Sequence, residues 1–471
     1  MSKLLAPDYG QQFLLPPALE DWVPPDHPAR FIRELVEALD LPALGFVIPQ
    51  AVEGRPPYAP SLLLKIWLYG YLHRVPSTRK LEVACRNEMP LLWLAGLLAP
   101  DHNSLWRFWR DNQKPLRAVF KQSVQLAVKA GLVGVVLQAL DGTKIAAVAS
   151  GHRGWSQEYM EKLLAALEQS LAETEAAVAA AGPGSPENGP GYRLPETVAE
   201  REALRAVVQQ GLAALAANGR GHYHPKEPQA KRMKCEGRTR FAYNAQAVIN
   251  RKERIVVAAE VTDAETDEGQ LVPMVKQARA NTGQEEAMTV ADTAYGNGRD
   301  LAAAAAAKLS VISPVKEGGR RAAEHAYHAH HFRYEAAAKT VSCPQGRLLE
   351  ACGSKQREGQ TVSVYRCRHR DCAVRGPCCG KSKMRRIEVW PHTAVVQAHR
   401  AKLEGAGAQA ALRARGRLIE WLWAVIKQQV GFRRWTVRGL EKVRTQWALI
   451  CAAVNLRVLL KVWARGAWAM S

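Results

Sequence analysis

From Pro28 to about Val135, apolar residues recur three and four positions apart in ARFIRELVEALDL, SLLLKIWLYGYLH, STRKLEVACRN and PLRAVFKQSVQLAVKAG, between Pro, Gly and Asn breaks. That period is helical, so residues 1–132 are read as an all-α domain. Within it, STRKLEVACRN and DHNSLWRFWRDN predict two short helices joined by a Pro-containing link. The second is capped by Asp101 or Asn103 and carries Trp106, Arg107 and Arg110. The pair has the form of a helix-turn-helix, although short helix pairs also pack into ordinary cores.

Past Val135 the pattern changes to a continuous Val/Leu run, the signature of a buried strand, which reaches Asp141. Helical spacing returns at Trp155. Met160, Leu164, Leu167, Leu171 and Val178 form a heptad seam with Thr174 in its one polar slot. After AGPGSPENGPGY a second helix carries Leu204, Val208, Leu212 and Leu215, so residues 151–235 are read as an inserted helical hairpin, a structural or dimerisation arm. FAYNAQAVI and RIVVAAEVT, separated by NRKE, predict a β-hairpin. A helix over 266–280 follows, then strand AMTVAD ending at Asp292, an Ala-rich helix and strand LSVISPV. This is an α/β order: a mixed sheet flanked by helices within a domain spanning 133–463.

Residues 318–396 break the order again. They hold His325, His328, His330 and His331, and six of the nine cysteines fall between Cys343 and Cys379. So loop-rich a segment has little core of its own, which leaves two readings. Either a structural Zn²⁺ on Cys343, Cys367, Cys372 and Cys378 replaces the core, or the insert is cysteine-rich and metal-free, since no clean C-x-x-C repeat is present.

Apolar residues make up 47% of the 471-residue chain, and no 18-residue stretch is free of charge, so neither disorder nor a membrane span is expected. The amino end lacks the pattern of a secretory signal, which points to the cytosol and to cysteines as thiols or metal ligands rather than disulfides. Lys and Arg number 65 against 44 acids, a formal charge of +21. Such an excess calls for a polyanionic partner, first of all nucleic acid, over a basic surface that serves only solubility.

Two strand-end aspartates suit a hard divalent ion, which then needs at least one more oxygen donor. The best source is the helical run AQAALRARGRLIEWLWAVIKQQVGFRRW. Here Arg413, Arg417, Glu420, Ala424 and Lys427 recur at four, three, four and three, along one helix face. An acid among bases on such a stripe is equally the mark of a surface ion-pair row.

The runs LDGTKIAAVAS, RMKCEGRTRFAYNAQAVIN, VVAAEVTDAETDEGQLVPMV, VADTAYGN and RLIEWLWAVIKQQVGFRRWTVRGLEKVRTQWALICAAVNLRVLLK together resemble the bacterial insertion-sequence transposases of the DDE type. The likeness is to the group with a helical amino-terminal domain and an RNase H-like catalytic domain, and it extends over residues 12–463. It implies that Asp141, Asp292 and Glu420 are the acidic triad, that Lys427 is the lysine seven positions after the glutamate, and that two Mg²⁺ or Mn²⁺ ions act in cleavage and strand transfer. Many relatives carry Tyr and Arg seven and four residues before the glutamate. This chain has Arg413 and Gly416 there, with bases at Arg415 and Arg417.

The partners implied are double-stranded DNA, as terminal inverted repeats and as target, and a second copy of the chain on that DNA. No membrane is implied, and the location would be cytoplasmic, at the nucleoid. Lys427, Arg413, Arg417, Arg433 and Arg434 would contact phosphates, and the helix bearing Trp106, Arg107 and Arg110 would enter a DNA groove. Two alternatives remain: an RNase H-like endonuclease that never joins ends, and a non-catalytic DNA-binding regulator derived from a transposase.

Overall fold

Pro28 and Pro60 each open a helix, where the missing N–H costs nothing. Asp101 caps a third by accepting from the Ser104 N–H at 2.6 Å. The structure, a computed structural model, describes residues 18–48, 56–75, 77–179, 194–219, 221–316 and 325–466. The chain divides into two units. One comprises the described residues up to Ala130, Val425–Gly431 and those from Ala448 onward. Its helices are Pro28–Glu37, Pro60–Leu72, Thr78–Asn87, Met89–Leu94, His102–Asp111, Gln113–Lys129 and the later part of Leu440–Trp463. They bury Phe31, Ile32, Leu64, Leu68, Leu81, Leu91, Leu105 and Leu116.

The link expected between Thr78–Asn87 and His102–Asp111 is itself partly helical. Pro90 stands in the first turn of Met89–Leu94, and Leu91, Trp93 and Leu94 enter the core. Glu82 ties the flanking helices: its Oε2 accepts from the His102 N–H at 3.0 Å and lies 2.7 Å from His102 Nδ1. Trp106 stacks on Trp109 at 5.5 Å, Arg110 pairs with Asp111 at 2.6 Å, and Arg107 is exposed. In the same unit Asn455 Nδ2 donates to Ser123 Oγ at 3.1 Å, and Trp463 Nε1 to Glu34 Oε2 at 2.9 Å. Helix Leu440–Trp463 is long and apolar enough to cross a membrane, but 72% of its apolar window is buried inside the protein.

The second unit, Gly131–Ala424 with Phe432–Trp447, begins with β1 (Leu137–Ala146). The helical hairpin follows as Gln157–Ala179 and Val198–Asn218, joined at its base by β2 (Trp155–Ser156) and β3 (His222–Tyr223). Its seam buries Met160, Leu163, Leu167 and Leu171 against Val208 and Leu215, with Leu164 only partly covered. The side chain of Val178 and the Gly/Pro-rich connection lie outside the described residues.

Next come β4 (Lys231–Cys235), β5 (Arg238–Asn250), β6 (Val256–Thr262), helix Leu271–Thr282, β7 (Met288–Val290), helix Gly298–Ala306 and β8 (Val311–Ile312). β5 pairs antiparallel with β1, β4 and β6, while β7 and then β8 add in parallel beyond β1. The basic stretch KRMKC is therefore a strand. It turns through Glu236 and Gly237, both at positive φ, into β5, and buries Met233 and Cys235. The helix expected from residue 266 starts at Leu271, because Asp267 is held in a polar network described below.

The Cys/His-rich segment is not coreless, which corrects the expectation. β9 (Arg333–Glu335), β10 (Thr340–Ser342), β11 (Leu348–Arg357), β12 (Gln360–Arg366) and β13 (Arg386–Val389) form an antiparallel sheet in the order β13-β12-β11-β10-β9. Phe332, Val341, Leu349, Tyr365, Ile387 and Val389 make its core. Each strand contributes only one or two apolar residues, too few to register as a pattern along the chain.

Glu227 is fully buried under this unit's main sheet. Its Oε2 accepts from Tyr243 Oη at 2.8 Å and from the Gly439 N–H at 3.1 Å, and Oε1 has no hydrogen-bond partner among the described residues. Burial raises its pKa above the ordinary 4.5, opposed by those two bonds and by the charges of Arg438 and Lys442. The folded protein thus binds this proton more tightly than the unfolded chain. The contribution to stability is present below 4.5 and is lost as pH rises through the folded value. Glu227→Gln should therefore gain in melting temperature relative to wild type between pH 4 and pH 7, as followed by circular dichroism; a constant difference would count against a buried, ionising Glu227.

Candidate active site

β7 pairs in parallel with β1 in the register Leu137↔Met288, Gln138↔Thr289 and Ala139↔Val290. Buried Gln138 locks it, donating from Nε2 to Thr289 Oγ1 at 2.7 Å. Two residues past Ala139 and Val290 stand Asp141 and Asp292, so the pairing brings their carboxylates level. Asp292 leaves the strand to cap the one-turn helix Thr293–Tyr295, with Oδ1 accepting from the Ala294 N–H at 2.9 Å.

Helix Ala406–Ala424 supplies the counter-charge. Arg415 Nη2 donates to Asp141 Oδ1 at 2.9 Å and lies 3.8 Å from Asp292 Oδ2. Trp423 Nε1 donates to Asp141 Oδ2 at 2.9 Å. The Asp141 and Arg415 side chains are each 16% exposed, and that of Asp292 is 41% exposed. Burial raises the Asp141 pKa above its ordinary value. Arg415 and the Trp423 bond work against this, while the Asp292 charge adds to it.

Beneath the pair lies a polar network. Asp267 Oδ1 accepts from Lys144 Nζ at 2.8 Å, Asn244 Nδ2 at 2.8 Å and Gln246 Nε2 at 2.7 Å. Gln246 Nε2 also donates to Asn244 Oδ1 at 2.9 Å, and Gln246 Oε1 accepts from Tyr295 Oη. Burial holds the Tyr295 hydroxyl well above its ordinary pKa, and Asp267, Asp141 and Asp292 act in the same sense, so it remains a donor. Sequence reasoning missed Lys144, Asn244, Gln246, Asp267, Tyr295 and Trp423, and named Arg415 only as a displaced base. The available signal was a polar residue at alternate positions, Asn244 and Gln246, within an otherwise apolar strand.

Glu420 lies on the helix of Arg415 but is exposed, and it makes no hydrogen bond or ion pair among the described residues. Arg413 and Arg417 are likewise exposed, and Lys427 falls in the π-helical turn Val425–Gln429, in the other unit. Arg433 is 3.8 Å from Glu236, and Arg434 Nε donates to the Ala147 carbonyl at 3.2 Å. Among the described residues, no group of three His, Cys, Asp or Glu is placed to hold a metal. The chemistry of Asp141 and Asp292, two carboxylates sharing one guanidinium, nonetheless fits a hard cation.

The cysteines fit a metal less well. Cys343, Cys367 and Cys378 pack against the small sheet's core, and Cys372 lines a cavity of about 580 Å³ with Cys367, Cys378 and Cys379. Arg368, Arg370, Arg375 and Lys383 line the same cavity, and burial pushes the Cys378 thiol up to about 11. Burial opposes a thiolate at Cys378, whereas the neighbouring bases favour thiolates but repel a divalent cation.

Gly142 follows Asp141 because the network closes over it. A Cβ at 142 would fall onto Gln246 Nε2 and within 2.6 Å of Asp267 Oδ1. Gly142→Ala should cost about 1–3 kcal/mol of unfolding free energy, measurable by denaturant titration; an unchanged midpoint would show that the network yields freely.

Residues 17–111 match a family model described as Transposase domain (DUF772), and residues 342–460 match one described as Transposase DDE domain. No curated protein matches the chain. The first match covers most of the helical unit's amino-terminal part, and the second covers β11, β12 and β13 of the small sheet, the helix of Arg415 and Glu420, and nearly all of the last helix. Two transposase matches in this order, on either side of a sheet that bears the paired aspartates, support an insertion-sequence DDE transposase.

Proposed function

We propose that this transposase cuts DNA at the ends of its element and joins the freed ends to target DNA, with Asp141, Asp292 and Glu420 as the carboxylates of one metal-dependent site. The observation that carries the reading is the level pair Asp141 and Asp292, drawn together by a single cation. The strand order β6-β5-β1-β7-β8, antiparallel up to β1 and parallel beyond it, supports an RNase H-like catalytic domain. When bound, two divalent cations, Mg²⁺ or Mn²⁺, supply Lewis-acid stabilisation to the attacking and leaving oxygens of an in-line displacement.

The protein's own groups do the rest. Asp141 and Asp292 would hold the cations, and Trp423 keeps Asp141 Oδ2 oriented. Arg415 gives up its bridging position and becomes free to bind a phosphate oxygen. Glu420 joins once helix Ala406–Ala424 turns it toward the sheet. In cleavage, a water oxygen bonds to phosphorus as the 3′ oxygen leaves with a proton. In joining, that 3′-hydroxyl attacks a target phosphate and displaces the target's 3′ oxygen, so the same ligands serve both steps. Lys427, Arg413, Arg417, Arg433 and Arg434 contact phosphates, and Trp106, Arg107 and Arg110 serve the helical unit's DNA contact. Two copies of the chain pair two element ends, in the cytoplasm at the nucleoid.

Asp141→Asn, Asp292→Asn and Glu420→Gln should each lower cleavage of an element-end duplex at least about a thousandfold, some 4 kcal/mol of barrier, with end binding retained. Cleavage near the wild-type rate in any one would remove that residue from the triad. Strand-transfer products from a precut 3′-hydroxyl end separate this reading from an endonuclease that never joins. Lys427→Ala should reduce the slope of log affinity against log salt by about one; an unchanged slope would make Lys427 structural.

A further inference from the structure

The turn that carries Asp292 is fastened at two points. At its start Asp292 Oδ1 accepts from the Ala294 N–H, and at its end Tyr295 Oη donates to Gln246 Oε1. Gln246 is the cross-strand partner of Gly142, the residue next to Asp141. It has no solvent exposure, and its carbonyl accepts from Trp447 Nε1 at 2.9 Å. One amide therefore joins the Asp292 turn to the strand of Asp141.

The orientation of that amide is not free. Asp267 Oδ1 already accepts from Lys144 Nζ and Asn244 Nδ2, and it takes the Nε2 side of Gln246 as its third donor, at 2.7 Å. Oε1 is left pointing at Tyr295. Lys144 and Asn244 hold Asp267 in turn, each at 2.8 Å. Neither Gln246 nor Tyr295 needs to touch a substrate for this arrangement to act on the carboxylates.

We propose that Tyr295 and Gln246, oriented by Asp267, are positioning residues that set the spacing of Asp141 and Asp292 for a divalent cation. The inference rests on the proposed metal-dependent reading of that pair. Groups that orient metal ligands without touching the metal typically govern affinity by 10- to 100-fold. A merely structural network would instead show itself in stability.

The test is Mn²⁺ binding to the full-length protein without DNA, read by electron paramagnetic resonance of free Mn²⁺ and accompanied by thermal melts. Tyr295→Phe leaves the net charge unchanged and removes only the bond to Gln246, so it should weaken Mn²⁺ affinity about tenfold while remaining folded. Asp267→Asn removes the carboxylate that orients the Gln246 amide and should weaken Mn²⁺ affinity by a similar factor. Asp141→Asn is the control. If it abolishes Mn²⁺ binding while folded Tyr295→Phe binds like wild type, the positioning role is overturned and the metal reading stands. A folded Asp267→Asn variant that binds Mn²⁺ like wild type would overturn the role of amide orientation. Unchanged binding in Asp141→Asn would sink the metal reading itself.

Discussion

Two carboxylates held level on neighbouring parallel strands repel each other, and the centre of the second unit is organised around that repulsion. The register of β1 and β7 fixes the pair, and Gln138 and Thr289 fix the register. A counter-charge must then come from elsewhere, because Lys144, on the same strand as Asp141, is already engaged by Asp267. Arg415 meets that need from the helix laid across β1. A buried carboxylate without such a partner would protonate or unfold the strand end.

Tryptophans hold the helices in the positions this demands. Trp423 stacks near Trp447 at 6.1 Å, and Trp447 meets Trp435 at 6.2 Å. Their indole N–H groups donate to Asp141 Oδ2, to the Gln246 carbonyl and to the Ile145 carbonyl respectively. Each ring thus adds apolar area and one directed bond to β1 or β5. The same three contacts bring together segments 201 to 290 residues apart in sequence.

The family matches and the geometry divide the protein differently. The match described as Transposase DDE domain includes Glu420 and most of the cysteines, while Asp141 and Asp292 fall between the two matched regions. The aspartates are in contact with Arg415 and backed by the Asp267 network, whereas Glu420 is open to solvent. Such a division suits the proposed reading, in which two carboxylates are built into the sheet and a third rides on a helix.

Much was legible along the chain because it depends on neighbours in sequence. The helical period of residues 28–130, the Asp101 cap, the seam of the hairpin and the apolar runs ending at Asp141 and Asp292 are all local patterns, and the elements follow them. The strand at Lys231–Cys235 and the core of the small sheet were not legible, since strands with one or two buried residues leave no periodic trace. What the sequence alone determined was the family likeness and the identity of the two acids that close the apolar runs of β1 and β7. What only the tertiary structure decided was their company. Arg415 rather than Glu420 meets Asp141, and Gln246 joins Tyr295 to Asp267, because strand register and helix phase, not spacing along the chain, set which side chains share a buried space.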